Sequence, residues 1–413
     1  MKAEIIAVGS EMLTPDHFDT NSLFITEKLN EAGCEVHLKT VVGDNEKDIV
    51  DVLRSGLRRS ELIILSGGLG PTEDDLTRTS VAAVLHREIR IHPALVEALQ
   101  RRFAGRGYSM PKINERQAQV IDGARVLENP NGTAPGLWLE EGKVGIALLP
   151  GPPRELKPMV ERHILPWVRE RTGGRRLAGR IFHITGLTES EVDSRVAPVY
   201  REYPQVQTII LANPGHIALR MGRWVERGEQ VADLEQLAGR IQEALGDAIF
   251  SSARETLEEV VGRMLLESGQ TLAIAESCTS GMIGMRVTRV PGSSRYFLGG
   301  VMCYSNDVKH RICGVPAQLL EDHGAVCAQV AEALAGGVRN ALGASIGLSV
   351  TGIAGPDGGT SEKPVGLVFV GIADGSRTTH LKRIVPGDRE TIRERTTCFA
   401  LSSLRRFLIS GRT

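Results

Sequence analysis

The sequence predicts an α/β protein of several domains, and three observations predict it. Apolar runs of strand length alternate with segments of helical spacing along most of the chain. The chain has 413 residues, which at roughly 150 residues per domain suggests two or three domains. A basic, glycine-rich stretch at 169–180 reads as a linker or exposed turn after the first alternating region.

Residues 4–8 read as a short strand. Residues 21–32 put Leu23, Ile25, Leu29 and Ala32 at helical spacing, and Gly33 then stops the helix. Residues 35–42 form a second strand, 46–58 a second amphipathic helix, and 62–65 a buried strand running into Ser66-Gly67-Gly68. A helix restarts at 77–85. This β-α-β-α-β-loop-α order implies a parallel sheet with helices on both faces. Ligands then sit beyond the carboxyl ends of the strands, in the loops after Val8, Val42 and Leu65. Arg/Gln-rich helices follow, then a turn-rich segment at 129–136, strands at 136–140 and 144–149, and prolines at 150–153 that end the last strand. Residues 181–250 read as a compact βααβ-type unit, with strands at 180–185, 206–211 and 217–223 and helices at 188–199 and 230–245. From Thr256 a third unit begins. It has helices at 257–267, 280–289, 328–342 and 389–409, and strands at 271–275, 297–304, 344–351 and 366–373.

Composition excludes several classes. Asp and Glu total 50 against 49 Lys and Arg, so no overall field draws the chain to nucleic acid or an anionic membrane. Apolar residues make up 41% and charged residues 24%, as in an ordinary globular protein and unlike a disordered one. Aromatics are 4%, too few for stacking platforms along single-stranded nucleic acid. None of the six Cys forms C-x-x-C, and H-E-x-x-H is absent, which argues against a zinc site. The first apolar run is too short for a signal peptide, and no stretch reaches the roughly 18 apolar residues of a membrane span. A cytoplasmic protein with reduced thiols is expected. Asn131-Gly132-Thr133 is read as a turn.

Residues 275–281 of the third unit read Ala-Glu-Ser-Cys-Thr-Ser-Gly, after an apolar strand and at the start of a helix. Such a turn exposes small side chains beside unpaired helical N–H groups, a suitable setting for a nucleophile and an oxyanion hole. Ser277 or Cys278 could attack; alternatively, Ser277 or Thr279 merely caps the helix. The chain lacks G-x-S-x-G, and no His stands in an obvious catalytic loop. Lys309 is the candidate base. With an ordinary pKa of about 10.4 only about 0.04% of it is neutral at pH 7, and lowering the value to about 7.5 costs about 4 kcal/mol, which burial can supply. Tyr304 could relay the proton or hold the amine. A Ser305–Lys309 pair is a rival dyad without an adjacent oxyanion hole. Residues 351–360 carry four glycines beyond a strand, Gly352 and Gly355 among them, and could cradle a phosphate or carboxylate. Arg389, at the start of the last helix, could pair a phosphate.

These motifs, with Gly292-Ser293-Ser294-Arg295, Gly299-Gly300-Val301, Tyr304-Ser305-Asn306 and Pro386-Gly387-Asp388-Arg389, occur in the same order in the CinA carboxyl-terminal family, which residues 256–410 resemble. That family includes nicotinamide mononucleotide deamidases. The resemblance implies that Ser277 is the nucleophile, Lys309 its base and Tyr304 an assistant, with Thr279, Ser280, Gly281, Gly352, Gly355 and Arg389 near the substrate. The reaction implied is hydrolysis of a carboxamide to nicotinate mononucleotide and ammonia, without a metal. The family usually has glycine where this chain has Ser280.

In the first unit, Gly67-Gly68-Leu69-Gly70-Pro71-Thr72-Glu73-Asp74-Asp75-Leu76-Thr77 follows a strand. The glycines let a phosphate approach the backbone. Glu73, Asp74 and Asp75 make sense if a divalent cation lies between them and that phosphate, though a helix N-terminus also favours acids. Asp44 supplies another acid beyond a neighbouring strand. Gly67-Gly68-x-Gly70 with Asp75-x-Thr77 resembles the signature of molybdopterin-binding domains, Leu69 standing in place of Thr. Residues 67–72, 129–136 and 150–153 are similar to the amino-terminal half of CinA proteins. The resemblance implies a three-layer α/β/α domain, a metal at Asp44, Asp74 and Asp75, substrate contacts from Gly67, Gly68 and Thr77, and hydrolysis of ADP-ribose.

The domains expected are 1–170, molybdopterin-binding-like; 178–252, a small α+β unit similar to a KH-type domain but without its G-x-x-G clamp; and 256–413, the CinA carboxyl-terminal α/β domain. A homodimer acting on small nucleotides is expected, with no membrane or nucleic-acid partner. Two rival readings stay open. One is a molybdopterin-binding or adenylyl-transfer protein with a degenerate carboxyl half. The other is a non-enzymatic competence or DNA-repair partner, which the neutral charge and scarce aromatics count against.

Overall fold

The computed structural model describes residues 1–411, which divide into two compact units. One comprises Met1–Ala178 and Trp224–Val231, the other Gly179–Arg223 and the chain from Ala232 onward.

The first unit opens with β1 (Lys2–Val8), α1 (Thr20–Glu31), β2 (Glu35–Val42), α2 (Glu46–Arg59), β3 (Leu62–Ser66) and α3 (Thr77–Leu85). Asp19 caps α1 by accepting from Ser22 N, and Asn45 caps α2 by accepting from Lys47 N and Asp48 N. Next come β4 (Ile89–Ile91), α4 (Pro93–Ala104), β5 (Gln119–Ile121), β6 (Arg125–Leu127), β7 (Gly136–Glu141), β8 (Val144–Leu149), α5 (Pro153–Met159) and α6 (Leu165–Thr172). Six strands form one sheet in the order β2-β1-β3-β8-β7-β6. The first four are mutually parallel, and β7 and β6 run antiparallel. Alternation along the central strands builds both faces of the core. Ile5 and Ile64 pack with Ile25 and Leu29 of α1, while Ile6 and Ile63 pack with Ile49 and Leu53 of α2. Val8 lies beside Val42, Ala7 beside Ser66, and Ser66 beside Leu149. The four parallel strands therefore end together, and the loops after them share one edge.

Within residues 169–180 only 173–175 form a turn outside helix or strand. The helix α6 closes on Gly173, which takes the left-handed conformation at φ 60°. From Arg176 the chain pairs as β9 (Arg176–Ile184).

The second unit contains α7 (Glu189–Tyr200), β10 (Gln207–Asn213), β11 (His216–Val225), α8 (Ala232–Leu245) and β12 (Ile249–Ser251), whose strands with β9 form a sheet ordered β10-β11-β9-β12. A five-stranded layer follows: α9 (Leu257–Glu267), β13 (Leu272–Glu276), α10 (Met282–Thr288), β14 (Phe297–Met302), α11 (Asn306–Arg311), α12 (Ala317–His323), α13 (Ala328–Leu342), β15 (Ile346–Gly352), β16 (Leu367–Ala373), β17 (Thr378–Ile384) and α14 (Arg389–Ser410). Its order is β14-β13-β15-β16-β17. The strands β14, β13 and β15 are parallel, and β16 and β17 are antiparallel. Both sheets with parallel strands are thus mixed. In the five-stranded sheet Glu276 lies beside Met302 on one flank and Val350 on the other. The carboxyl ends of the three parallel strands deliver Tyr304, Ser277 and Gly352 to one rim.

Candidate functional site

At that rim lies a cavity of about 200 Å³ lined by Ser277, Cys278, Tyr304, Lys309, Gly352 and Arg389, among others. Ser277 N donates to Val350 O at 3.0 Å, which pins the residue to the end of β15. Its side chain is 8% exposed. Lys309 comes from α11, which Ser305 caps by accepting from Val308 N at 3.3 Å. That capping role accounts for the Ser305 hydroxyl, which does not line the cavity.

The Lys309 side chain is 1% exposed. Its ammonium donates to Tyr304 O at 2.9 Å, and no acidic side chain pairs with it among the described residues. Burial pulls its pKa below the ordinary Lys value, against a smaller opposing pull from Cys303, Cys278 and Cys313. The side chains of Ser277 and Lys309 share the cavity wall, and no hydrogen bond joins them among the described residues. Tyr304 is 60% exposed. Its hydroxyl accepts from Arg389 Nη2 at 3.2 Å, while Arg389 Nη1 donates to Gly355 O at 2.6 Å. Arg389 thereby ties the glycine loop to the segment that carries the amine. Burial pushes the Cys278 thiol up to about 12, so the sulfur stays protonated at neutral pH and is a poor nucleophile.

The helix after the turn begins at Met282, with Gly281 as its cap, rather than at Ser280. Its first N–H groups are not open to a substrate. The Glu276 carboxylate accepts from Gly281 N at 3.0 Å, Ile283 N at 3.1 Å and Gly284 N at 2.9 Å. Arg393 of α14 donates from Nε to Cys278 O at 3.3 Å and from Nη2 to Thr279 O at 3.2 Å. Thr279 is fully buried, and its hydroxyl has no partner among the described residues. It lies off the cavity wall, as do Ser280, Gly281 and Gly355. Ser280 is left-handed at φ 48°, a conformation that favours glycine, which gives a backbone reason for the glycine usual there. Sequence reasoning passed over Glu276 and Arg393. The signal for Glu276 was a charged residue ending an otherwise apolar strand.

The first unit carries a larger cavity, about 500 Å³, at the shared edge of its parallel strands. Gly67, Gly68, Asp44, Asp74 and Asp75 line it, together with Glu11 and Glu155. Asp44 fastens one wall: its carboxylate accepts from Ser10 N at 2.7 Å, and its N–H donates to Ser10 Oγ at 3.0 Å. Asp75 accepts from Gly70 N at 2.7 Å, Thr72 N at 2.8 Å and the Thr72 hydroxyl at 2.6 Å. Thr77, fully buried and off the wall, donates to Gly67 O at 2.8 Å. Arg78 lies below the loop and donates to Leu69 O at 2.8 Å, and burial lowers its pKa to about 10. Gly67 and Gly68 take φ 106° and 64°. A Cβ on either would collide with Val8 O or the Thr77 side chain, so the loop requires glycine at both. Among the described residues no three His, Cys, Asp or Glu side chains stand close enough to cage a metal alone. The candidate donors on the lining include the carboxylates of Glu11, Asp44, Asp74, Asp75 and Glu155, with His17 beside them. This set fits a hard cation that takes one or two protein oxygens and completes its shell with phosphate and water.

Two α/β units, each with a cleft beyond its parallel strands, point to an enzyme. Residues 254–408 match the family described as "CinA C-terminal domain", and residues 4–170 match "Probable molybdopterin binding domain". A CinA-like protein of Koribacter versatilis is 47% identical over 99% of this chain and 100% of its own length. A CinA-like protein of Acidobacterium capsulatum is 46% identical over the same shares. The crystal structure of a competence/damage inducible protein from Agrobacterium tumefaciens is 34% identical, covering 40% of this chain and 100% of that one with a TM-score of 0.35. The chain belongs to the CinA family. Among the described residues no helix is long and apolar enough to cross a membrane.

Proposed function

We propose that the second unit hydrolyses the carboxamide of nicotinamide mononucleotide, with Ser277 as nucleophile and Lys309 as base. One observation carries the reading: a lysine amine kept from water and from acidic partners, on the wall of the cavity that Ser277 also lines. Burial favours the neutral amine, which is the form that can accept a proton. Lys309 takes the Ser277 proton as the oxygen attacks the amide carbon. The tetrahedral intermediate collapses, the resulting ammonium of Lys309 protonates the leaving nitrogen, and ammonia departs. Water then attacks the acyl-enzyme, giving up a proton to Lys309, which returns it to the Ser277 oxygen as nicotinate mononucleotide leaves. Tyr304 holds the amine through its carbonyl, and Arg389 steadies Tyr304 and supplies positive charge for the nucleotide phosphate.

For the first unit we propose hydrolysis of ADP-ribose to AMP and ribose 5-phosphate. Asp44 and the Asp74–Asp75 pair would hold a divalent cation, which when bound polarises the pyrophosphate. The Gly67–Gly68 backbone gives the phosphates close approach, and Asp75 keeps the loop in shape. The acidic lining supports this reading, because five carboxylates around one cavity repel a phosphate unless a cation intervenes.

Purified protein should release ammonia from nicotinamide mononucleotide with or without chelator, and Ser277→Ala should abolish that release. Cleavage of ADP-ribose should need added Mg²⁺ or Mn²⁺. Pterin binding without either cleavage would favour the molybdopterin-handling alternative.

A further inference from the structure

We propose that Glu155 is the general base of the first unit, taking a proton from the water that attacks the pyrophosphate. This deepens the ADP-ribose reading given above and rests on it. Glu155 stands in the first turn of α5, on the lining of the larger cavity, and is 7% exposed. A buried carboxylate is costly unless it is paired or hydrogen-bonded. Glu155 makes no ion pair and has one donor among the described residues: Asn129 Nδ2 gives a hydrogen bond to Oε2 at 2.7 Å. Oε1 accepts from none, so a group within the cavity has to complete its shell. A phosphate oxygen would repel it, whereas a water or a hydroxyl would not. A cation at Asp44 does not account for Glu155 either. In the order β2-β1-β3-β8 the strands that lead to Asp44 and to Glu155 are three places apart, about 14 Å at roughly 4.8 Å per place. The two carboxylates therefore approach the cavity from opposite ends of the parallel strands.

The neighbouring loop holds the carboxylate in one orientation. Asn129 Nδ2 also donates to Ala134 O at 2.8 Å, so both amide hydrogens are committed, and Asn129 Oδ1 accepts from Asn131 N at 3.1 Å. Asn131 Nδ2 donates to Arg154 O at 2.8 Å, which ties the loop to the first turn of α5. Arg102 of α4 donates to Asn129 O at 2.9 Å and to the carbonyls of Pro130 and Gly132. Gly132 packs against Glu155 Oε2, and a Cβ there would occupy the carboxylate's place. A fixed carboxylate with one open oxygen is what proton abstraction from a bound water requires. In the step, the water oxygen bonds to a phosphorus of ADP-ribose and one water proton passes to Glu155. The bridging P–O bond breaks, and its electron pair stays on the departing phosphate. Glu155 then gives the proton to that phosphate, which leaves AMP and ribose 5-phosphate.

The test uses the full chain with Mn²⁺ and two substrates. One is ADP-ribose. The other is the p-nitrophenyl ester of thymidine 5′-monophosphate, which needs the same attacking water whatever the natural substrate is. Glu155→Gln should lower kcat on both by about 10²–10⁴-fold at an unchanged unfolding temperature. Its KM, and its Mn²⁺ affinity read by electron paramagnetic resonance without substrate, should stay within about twofold of wild type. Formate should raise the rate of Glu155→Ala by about tenfold or more, because it returns a carboxylate to the vacated space. Gly132→Ala keeps Glu155 but displaces it, and should lower kcat by about 10²-fold. If Glu155→Gln keeps more than about a tenth of wild-type kcat, if its Mn²⁺ affinity falls with its activity, or if only KM rises, the assignment is wrong. If wild type cleaves the ester but not ADP-ribose, the choice of substrate fails, and a matching loss in Glu155→Gln still supports the base. If wild type cleaves neither, both readings fall.

Discussion

Replacing Lys309 by Met removes a buried ammonium and leaves an apolar chain of similar length. The native side chain is 1% exposed, and its amine donates to Tyr304 O at 2.9 Å. Burial holds its pKa below the ordinary 10.5. Two effects follow. Loss of a general base costs about 10²–10⁴ in kcat. The second effect concerns stability. Because the folded pKa is depressed, the unfolded chain binds more protons between the two values, so wild-type stability rises with pH across that window. The penalty is full below the folded pKa and is gone above 10.5. Met escapes it, which gains about 1–4 kcal/mol, and strands the Tyr304 carbonyl, which costs about 1–3 kcal/mol. At pH 7 the variant should therefore unfold within about 2 kcal/mol of wild type, and its relative stability should decline as pH approaches 10.5. Ammonia release and thermal unfolding, measured side by side from pH 6 upward, test both effects. A variant that keeps more than a tenth of wild-type kcat, or whose relative stability does not change with pH, refutes the argument.

Four further outcomes are expected. Ser277→Ala should lose all ammonia release while Cys278→Ala keeps most of it, since burial pushes that thiol up to about 12; the reverse pattern would identify a thiol nucleophile. Ser280→Gly should raise stability by about 0.5–1 kcal/mol, the left-handed cost of about 1–2 kcal/mol being partly offset by glycine's unfolded-state freedom, as read from denaturant midpoints. Asp75→Ala should abolish ADP-ribose cleavage and weaken the first unit by about 2–3 kcal/mol, because Gly70 N and the Thr72 N–H and hydroxyl lose their acceptor; ammonia release should be unaffected. Chelator should stop ADP-ribose cleavage and spare ammonia release, and equal inhibition of both would mean that one site serves both reactions.

Much of this architecture was legible because parallel strands buried on both faces read as unbroken apolar runs. The segments at 62–65 and 271–275 announced β3 and β13, and the small residues after each marked the two rims. Side-chain bonds between distant segments were not legible. Nothing in the local pattern at 389–409 indicates that Arg393 reaches the carbonyls of Cys278 and Thr279, 115 and 114 residues away. Helical spacing placed the helix start at Ser280, because the pattern does not register that Glu276 folds back onto the following N–H groups. The stretch at 169–180 looked like a linker from its arginines and glycines. Basic residues are also common on half-exposed strands, and β9 uses them so. In the first unit, acids beside glycines indicated a cation. They could not reveal that Asp75 spends most of its acceptor capacity on its own loop.

The long helix α14 supplies Arg389 and Arg393 near its start, and Arg405 further on donates to Asp247 O and Ile249 O at 2.8 Å each. At about 1.5 Å per residue these anchor points lie about 24 Å apart along one rod. That rod also follows, in chain order, every other element of the pocket that holds Ser277 and Lys309. A ribosome adding about 5–20 residues per second reaches Arg393 on the order of ten seconds after Ser277. During that interval the nascent turn lacks its guanidinium, so the pocket completes only after nearly all of the second unit has been made.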